Sequence, residues 1–283
     1  QCPKGPLAGA SSYDDHSWTH GMPDSHSAWK PDRPFLVGML HLPPLPGSPR
    51  FDGDLSTLRD FVRRDAAALV EAGFTRLMIE NFGDSPFFPD RVPPATLTHM
   101  TALAQMVRSE FNVEIGINVL RNDGCGALAV AHAVGASFIR VNVLCGARLT
   151  DQGLVSGIAH DLLRLRSSLG AEEVRILADV DVKHSAPLAA RPIEEEVEEV
   201  ISRGGADAVI VSGEATGRAV DSSILDRVLA AAGETPVLIG SGVDESSAAA
   251  LSSRVAGLIV GSALKVDEIV TAPVDRSRAL RIV

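Results

Sequence analysis

The sequence has few cysteines and no long hydrophobic segment. Its three cysteines, Cys2, Cys125 and Cys145, form no CxxC pair and are odd in number, which argues against a disulfide framework and a structural zinc site. We expect Cys125 and Cys145 to be packing residues, because neither has a histidine beside it in the sequence. No apolar run is long enough to span a bilayer. We therefore predict no membrane insertion and a reducing compartment, either the cytoplasm or an organelle stroma or matrix in a eukaryote.

Positive charge is also scarce. The chain has 26 Lys and Arg against 36 Asp and Glu, a formal net charge of −10. Such a chain lacks the overall positive field that attracts nucleic acid or an anionic membrane surface. We therefore predict no nucleic-acid partner, and an anionic small molecule would need a local group of cations.

Residues 1–33 differ in composition from the rest of the chain. They lack hydrophobic periodicity and are rich in Ser, Asp, His, Pro and Gly, which predicts a flexible extension followed by one domain over residues 34–283. His16, His20 and His26 could bind a metal, but a solvated linker explains this composition better. The acidic residues of the segment argue against a transit peptide, and its lack of an apolar centre argues against a secretory signal.

The remainder alternates between short apolar runs and segments with helical periodicity. The runs are residues 34–41, 75–81, 113–123, 137–143, 174–180, 207–213, 236–242 and 257–262. The helical segments are residues 58–73, 97–110, 126–136, 157–170, 192–205, 222–233 and 246–257. Eight strand–helix units of this size predict a closed (β/α)8 TIM barrel. The alternative is a doubly wound open sheet, but its usual GxGxxG turn is replaced here by HLPPLPGSP after the first strand.

Polar residues follow most of the predicted strands, at the end where a barrel carries its active site. Strand alternation would place Asp179, Asp181 and Lys183 on one face. A structural network of ion pairs is the alternative, but a ligand site better explains polar groups at most strand ends together. The candidates are His41, Glu80, Asn81, Asn118, Arg140, Asn142, Asp179, Asp181, Lys183, His184 and Ser212.

Two glycine turns follow the last two predicted strands. They are Gly240-Ser241-Gly242 and Gly261-Ser262, and the second is predicted to open a helix. Glycine allows a backbone to approach a phosphate closely, and barrels often bind phosphate in these loops. The turns therefore predict a phosphate site.

Several long motifs resemble the BtpA family over residues 36–278. They are HLPPLPGSPRF, IENFGDSPF, GINVLRND, FIRVNVLCGARLTDQGL, ADVDVKHSAPL and IVGSALK, in this order along the chain. The resemblance implies a TIM barrel of the ribulose-phosphate-binding type. The founding cyanobacterial members are implicated in photosystem I biogenesis, but the family brings no settled reaction. Cys145 lies within one of these motifs and Cys125 lies two residues beyond the end of another, at positions where other small residues are expected.

Two hypotheses of function follow. The first is an enzyme for a phosphorylated sugar or nucleotide-like metabolite; the second is a non-catalytic assembly or stability factor, as in photosystem I biogenesis. In the enzyme, Glu80, Asp179, Asp181 and His41 would transfer protons and Arg140 would neutralise the substrate. Asn118 and Asn142 would orient the substrate.

Lys183 has two roles open to it. It would be an electrostatic partner of the aspartates or, less favoured, a Schiff-base nucleophile. Mg²⁺ held by Glu80, Asp179 and Asp181 is a weaker expectation, and zinc on His41 and His184 ranks lower still. The sequence leaves open whether the chain forms a homo-oligomer.

Overall fold

The computed structural model describes residues 34–213 and 220–283. These residues form eleven strands and eight helices. The strands are β1 (Phe35–His41), β2 (Arg76–Glu80), β3 (Glu114–Asn118), β4 (Phe138–Val141), β5 (Ala147–Thr150), β6 (Gly153–Ser156), β7 (Arg175–Val180), β8 (Ser185–Pro187), β9 (Ala208–Val211), β10 (Val237–Ile239) and β11 (Gly257–Val260). The helices are α1 (Leu55–Ala72), α2 (Pro94–Glu110), α3 (Gly124–Val134), α4 (Ala159–Leu169), α5 (Ile193–Ser202), α6 (Ser222–Ala232), α7 (Glu245–Ser252) and α8 (Arg276–Ile282).

Eight of the strands form a closed parallel barrel in the order β1-β11-β10-β9-β7-β4-β3-β2. The last strand pairs with the first, with Phe35 opposite Gly257 and Gly38 opposite Val260. This closure excludes an open doubly wound sheet. Each of the eight predicted apolar runs contains one barrel strand, so the predicted TIM barrel is confirmed.

Strand alternation divides the apolar side chains into two cores. Leu77, Ile79 and Ile139 belong to the cluster between the strands and the helices. Met78 and Phe138 belong to a separate cluster inside the barrel. Successive residues of β2 and β4 therefore face opposite sides of the barrel wall. Other members of the inner cluster are Val37, Met39, Leu177, Ile210, Leu238 and Ile259.

Phe138 fills the interior of the barrel beside Gly116. A Cβ atom on Gly116 would lie 1.9 Å from Cε2 of Phe138, well inside contact distance. Glycine at this position therefore gives the ring its space. Both belong to layers below the strand ends, so the inner cluster closes the floor under the polar mouth of the barrel.

Helix ends follow the expected capping chemistry. Asp54 begins α1 by accepting hydrogen bonds from the N–H groups of Ser56 and Thr57, and Gly73 ends the helix with φ of 106°. Not every boundary follows the prediction. Helix α7 ends at Ser252, before the predicted end at residue 257, because Gly257 is the first residue of β11. Helix α8 was not predicted. None of the helices in the described part of the chain has the length and apolar character needed to cross a membrane.

A second, three-stranded antiparallel sheet lies outside the barrel, and we call it the loop sheet. It consists of β5, β6 and β8 in the order β6-β5-β8. Strands β5 and β6 follow β4, whereas β8 follows β7, so the sheet joins two loops at the carboxyl ends of the strands. The sequence pattern did not predict this sheet. A signal was present in Thr150-Asp151-Gln152-Gly153, a turn whose glycine has φ of 93°.

Candidate active site at the carboxyl ends of the strands

A pocket of about 690 Å³ lies at the carboxyl ends of the barrel strands. Polar residues from several strand ends meet apolar side chains of the surrounding loops there. The apolar wall includes Phe51, Phe61, Phe82 and Phe87. The predicted site residues that line the pocket are His41, Glu80, Arg140, Asn142, Lys183, His184, Gly240, Ser241, Gly242, Gly261 and Ser262.

Arg140 and Asp179 form a buried ion pair at the base of the pocket. Arg140 donates to both carboxylate oxygens of Asp179, over 2.9 Å from Nε and 2.8 Å from Nη2. Asn142 donates a third hydrogen bond of 2.8 Å to the same carboxylate. The Asp179 side chain is fully buried. Its predicted role in proton transfer stays a prediction, but the contacts make it the partner that holds Arg140 in place.

Asp181 lies away from this cluster, and the prediction that it shares a face with Asp179 is wrong. Strand β7 ends at Val180, and Asp181 adopts a left-handed conformation with φ of 49°. Its side chain is 60% exposed and pairs with Arg148 of β5. It is not among the residues that line the pocket.

The three carboxylates expected to hold Mg²⁺ are therefore not assembled. Asp179 is occupied by Arg140 and Asn142, and Asp181 faces the loop sheet. Among residues 34–213 and 220–283, no three His, Cys, Asp or Glu side chains are grouped so that they could hold a metal ion.

Three other predicted residues lie behind the pocket surface. The Oδ1 atom of Asn81 accepts a 2.7 Å hydrogen bond from the N–H of Leu120. Asn118 donates to the carbonyl of Arg140 over 3.1 Å, and Ser212 is 3.5 Å from Asp179. These contacts position loops and strands, while their predicted contacts with substrate stay predictions.

Glu80 and His41 lie next to each other inside the pocket, in a long side-chain contact. Strands β1 and β2 place them in register, and His41 Nε2 lies 3.7 Å from Glu80 Oε1. Burial raises the pKa of Glu80, although Arg140 and Lys183 oppose the shift. Burial, together with Lys265, Lys183 and Arg140, holds the pKa of His41 well below 6.5. Both shifts favour the neutral forms, a protonated carboxyl group and an uncharged imidazole.

The glycine turns lie directly against these residues. A Cβ atom on Gly240 would lie 3.3 Å from Arg140 Nη2 and 2.4 Å from Cγ2 of Ile210. A Cβ atom on Gly261 would lie 3.2 Å from Cε1 of His41. The absence of side chains therefore brings the backbone of both turns close to the charged centre.

The expected helix after strand eight is absent at Gly261. Ser262–Leu264 form a single 3-10 turn instead. At the N-terminus of helix α7, the N–H groups of Ser246 and Ser247 donate to the side chain of Asp244, so these two groups are not available to a phosphate. A phosphate here would rely on the backbone of the turns rather than on a helix dipole. In the described part of the chain, the N–H groups of Ser241 and Gly242 donate to no backbone acceptor.

Arg121 lines the pocket from the loop after β3 and was not among the predicted site residues. Its Nη2 atom donates a 2.7 Å hydrogen bond to the carbonyl of Lys183. The only signal was its position within the motif GINVLRND, since the residue lies beyond the strand end.

A buried ion pair between Lys265 and Asp65 was also missed. Lys265 Nζ lies 2.9 Å from Asp65 Oδ2, and both side chains are almost completely buried. The pair joins α1 to the segment that follows the Gly261 turn. The signal was an aspartate on the apolar face of a helix, three residues after Val62 and four before Leu69.

The two described cysteines fit the expectation of packing residues. Cys125 and Cys145 are free and half-buried. Burial raises the pKa of both thiols, which is the opposite of the shift that activates a nucleophilic cysteine.

Comparison with a protein-family model decides the relationship, because the BtpA family model matches residues 32–283. The chain belongs to the BtpA family. A protein of Thermococcus kodakarensis is 44% identical over 255 residues, 89% of this chain and 95% of that protein. The photosystem I biogenesis protein BtpA of Synechocystis is 45% identical over 230 residues, 81% of this chain and 80% of that protein.

Solved structures resemble this BtpA-family protein in fold. N-(5'-phosphoribosyl)anthranilate isomerase from Pyrococcus furiosus has a TM-score of 0.51 and 12% identity, over 88% of this chain and 96% of that chain. A tryptophan synthase structure from M. tuberculosis has a TM-score of 0.55 and 17% identity, over 90% and 97% respectively. At these identities the likeness establishes the fold alone.

Proposed function

We propose that this BtpA-family protein is an enzyme that binds a phosphorylated small metabolite in the mouth of its barrel. One observation carries the proposal. A single pocket brings together two glycine turns, the guanidinium of Arg140, and the side chains of Glu80 and His41. We propose the cytoplasm, or an organelle matrix, as its compartment because Cys125 and Cys145 are free thiols.

The phosphate would lie between the two glycine turns. The N–H groups of Ser241 and Gly242 would donate to its oxygens, and Arg140 would supply positive charge to an otherwise acidic chain. The name of the phosphoribosylanthranilate isomerase neighbour refers to a phosphorylated compound, which supports a phosphate site in a barrel of this kind. Asn142 and His184 would contact the rest of the metabolite.

Glu80 and His41 would perform the proton transfers. Burial raises the pKa of Glu80, so its carboxyl group keeps a proton to donate at higher pH than an exposed glutamate does, and burial lowers the pKa of His41, which favours the uncharged imidazole that can accept one. The aromatic wall reduces the access of water to the pocket, which strengthens the interactions of the charges inside it. The expected chemistry is proton transfer at a carbon or oxygen of the metabolite, as in an isomerase or a lyase.

The test is a thermal-shift titration with sugar phosphates, nucleotides and inorganic phosphate. A ligand at about 100 times its dissociation constant should stabilise the fold by roughly 2.7 kcal/mol. We expect Ser241→Asp to abolish the shift, because a carboxylate would occupy and repel the phosphate site. Ser222→Asp on α6 is the matched control, since it adds the same charge outside the pocket.

Two results would count against the enzyme proposal. A shift that survives Ser241→Asp would remove the phosphate site from the glycine turns. Absence of a shift with every phosphorylated compound would remove the metabolite itself.

The second candidate is an assembly or stability factor, as the name of the Synechocystis relative suggests. The observation that favours it is an exposed apolar patch on and beside the loop sheet, where Leu149, Leu154 and Leu188 are 53%, 54% and 63% exposed. The test is complementation of a Synechocystis strain that lacks its BtpA protein by variants of this protein. If the protein is an assembly factor, Leu149→Lys and Leu154→Lys should abolish complementation. If it is an enzyme, Ser241→Asp should abolish it.

A further inference from the structure

We propose that Lys183 is a covalent catalytic residue whose amine forms a Schiff base with a phosphorylated aldose or ketose bound in the barrel mouth. The proposal rests on the proposed function, since the phosphate site would hold the sugar. It goes further by naming the class of substrate, a carbonyl compound, and the atom that reacts with it. The side chain lines the pocket together with Glu80, His41 and the glycine turns.

The carboxylates expected to pair with Lys183 are engaged elsewhere. Asp179 accepts three hydrogen bonds from Arg140 and Asn142. Asp181 faces away and pairs with Arg148. Within residues 34–213 and 220–283, no carboxylate lies within 4 Å of Lys183 Nζ. Among these described residues, the ammonium form therefore has no direct carboxylate partner that would stabilise it.

The surroundings of Lys183 favour the neutral amine. Burial lowers its pKa, and the nearby guanidinium groups of Arg140 and Arg121 lower it further. Glu80 and Asp179 act in the opposite direction but do not outweigh burial. A lysine is activated as a nucleophile in this way, by desolvation and a neighbouring cation.

The backbone around Lys183 is held in an unusual conformation. Asp181 and His184, which flank it, both adopt left-handed conformations, with φ of 49° and 57°. Such conformations cost free energy in residues other than glycine and occur mainly at functional sites. Arg121 donates to the carbonyl of Lys183, which fixes the segment against the pocket.

The residues of the pocket are sufficient for the reaction. The lone pair of Nζ attacks the carbonyl carbon, a C–N bond forms, and the carbonyl oxygen takes a proton from the attacking nitrogen. Glu80 then donates its proton as the C–O bond breaks and water leaves, which gives a protonated C=N bond and a Glu80 carboxylate. The positive nitrogen withdraws electrons from the adjacent carbon, so His41 can remove a proton there. No oxidant or reductant is required.

The test is trapping with borohydride, which reduces the C=N bond to a stable secondary amine. The probes are dihydroxyacetone phosphate, glyceraldehyde 3-phosphate and ribose 5-phosphate. The adduct adds the mass of the carbonyl compound less one oxygen atom. Peptide mapping is simple because the sequence has four lysines, Lys4, Lys30, Lys183 and Lys265.

We expect the adduct on Lys183 and its loss in Lys183→Arg. Burial lowers the pKa of Lys183 and so raises its fraction of neutral amine, and we therefore expect Lys183 to be labelled more than Lys4 and Lys30. Lys265 is an internal control, because it is completely buried and bound to Asp65. The melting temperature of Lys183→Arg shows whether the variant is folded, and Lys183→Met provides a second variant if it is not.

The outcomes separate the two proposals. A probe that stabilises the protein thermally but leaves Lys183 unmodified would overturn the Schiff base and retain the phosphate site. Equal labelling of Lys183, Lys4 and Lys30 would show non-specific reaction and would also overturn it. If none of the three probes binds but another phosphorylated compound of the thermal-shift titration does, the Schiff base proposal fails and the proposed function stands.

Discussion

The charged residues of the barrel mouth differ in how completely they are paired. Arg140 and Asp179 are joined by two hydrogen bonds in a buried site. Within residues 34–213 and 220–283, Glu80, His41 and Lys183 have no such two-bond ion pair, and burial shifts the pKa of each toward its neutral form. The same pocket therefore contains a fixed ion pair and three groups whose protonation can change during a reaction.

A first prediction concerns His41 and acid stability. Its pKa is lowered in the folded protein, so the unfolded chain binds the proton more readily. The contribution of the neutral His41 to the free energy of unfolding is therefore complete above about pH 6.5, the ordinary pKa of histidine. It is lost as the pH falls below that value. We expect the melting temperature to fall less steeply below this pH in His41→Asn than in the wild type.

Thermal melts from about pH 5 to pH 8 would measure this slope. His132→Asn is the control, because His132 is an exposed histidine on α3. Parallel curves for His41→Asn and the wild type would contradict the prediction.

At the scale of elements, the loop sheet joins two loops that border the pocket. Arg148 of β5 holds it together, since the guanidinium binds Ser185 over 3.0 Å, Glu196 over 3.3 Å, and also Asp181. The Arg148 side chain is 7% exposed, whereas that of Asp181 is 60% exposed. Loss of the arginine would therefore cost more than loss of this one carboxylate.

A second prediction follows for Arg148→Met. We expect the amides of residues 147–156 and 185–187 to lose hydrogen-exchange protection, by roughly tenfold if opening becomes easier by about 1.4 kcal/mol. Asp181→Asn should have a smaller effect, and the barrel strands should keep their protection in both variants. Equal loss of protection in the barrel would show that the loop sheet and the barrel open together.

The sequence predicted the barrel elements better than their connections. Met78 and Glu80, or Phe138 and Arg140, share a face because strand geometry fixes alternation locally. The same rule failed for Asp181, since the strand had already ended at Val180. Side chains alternate between faces only within a strand, so the rule does not apply to the residues after Val180.

Other features depend on partners far apart in the chain. The loop sheet pairs residue 149 with residue 186, and Lys265 reaches Asp65 on α1. A single sequence carries no direct sign of such pairs. The sequence therefore predicted which strand ends carry site residues. It did not predict that Asp179 pairs with Arg140 and Asp181 with Arg148, while Glu80 lines the pocket.

At the scale of the whole molecule, barrel closure defines the domain. The first strand begins at Phe35 and pairs with Gly257 at the start of the last strand. All eight strands of the barrel therefore lie within the predicted domain of residues 34–283.

A third prediction is that a chain starting at residue 34 folds with the melting temperature of the full chain. We expect a difference under roughly 3 °C, the shift that about 1 kcal/mol produces in a protein of this size. Differential scanning calorimetry of the two chains measures it. A larger fall would show that residues 1–33 stabilise the fold and would move the domain boundary.

The floor formed by Phe138 beside Gly116 has a kinetic consequence. Because the ring closes the barrel below the strand ends, a metabolite in the mouth has no exit through the opposite end. Substrate binding and product release therefore use the same opening, and product must leave before the next substrate molecule binds. A reaction product that still occupies the mouth would exclude the next substrate molecule, so product should act as a competitive inhibitor of turnover.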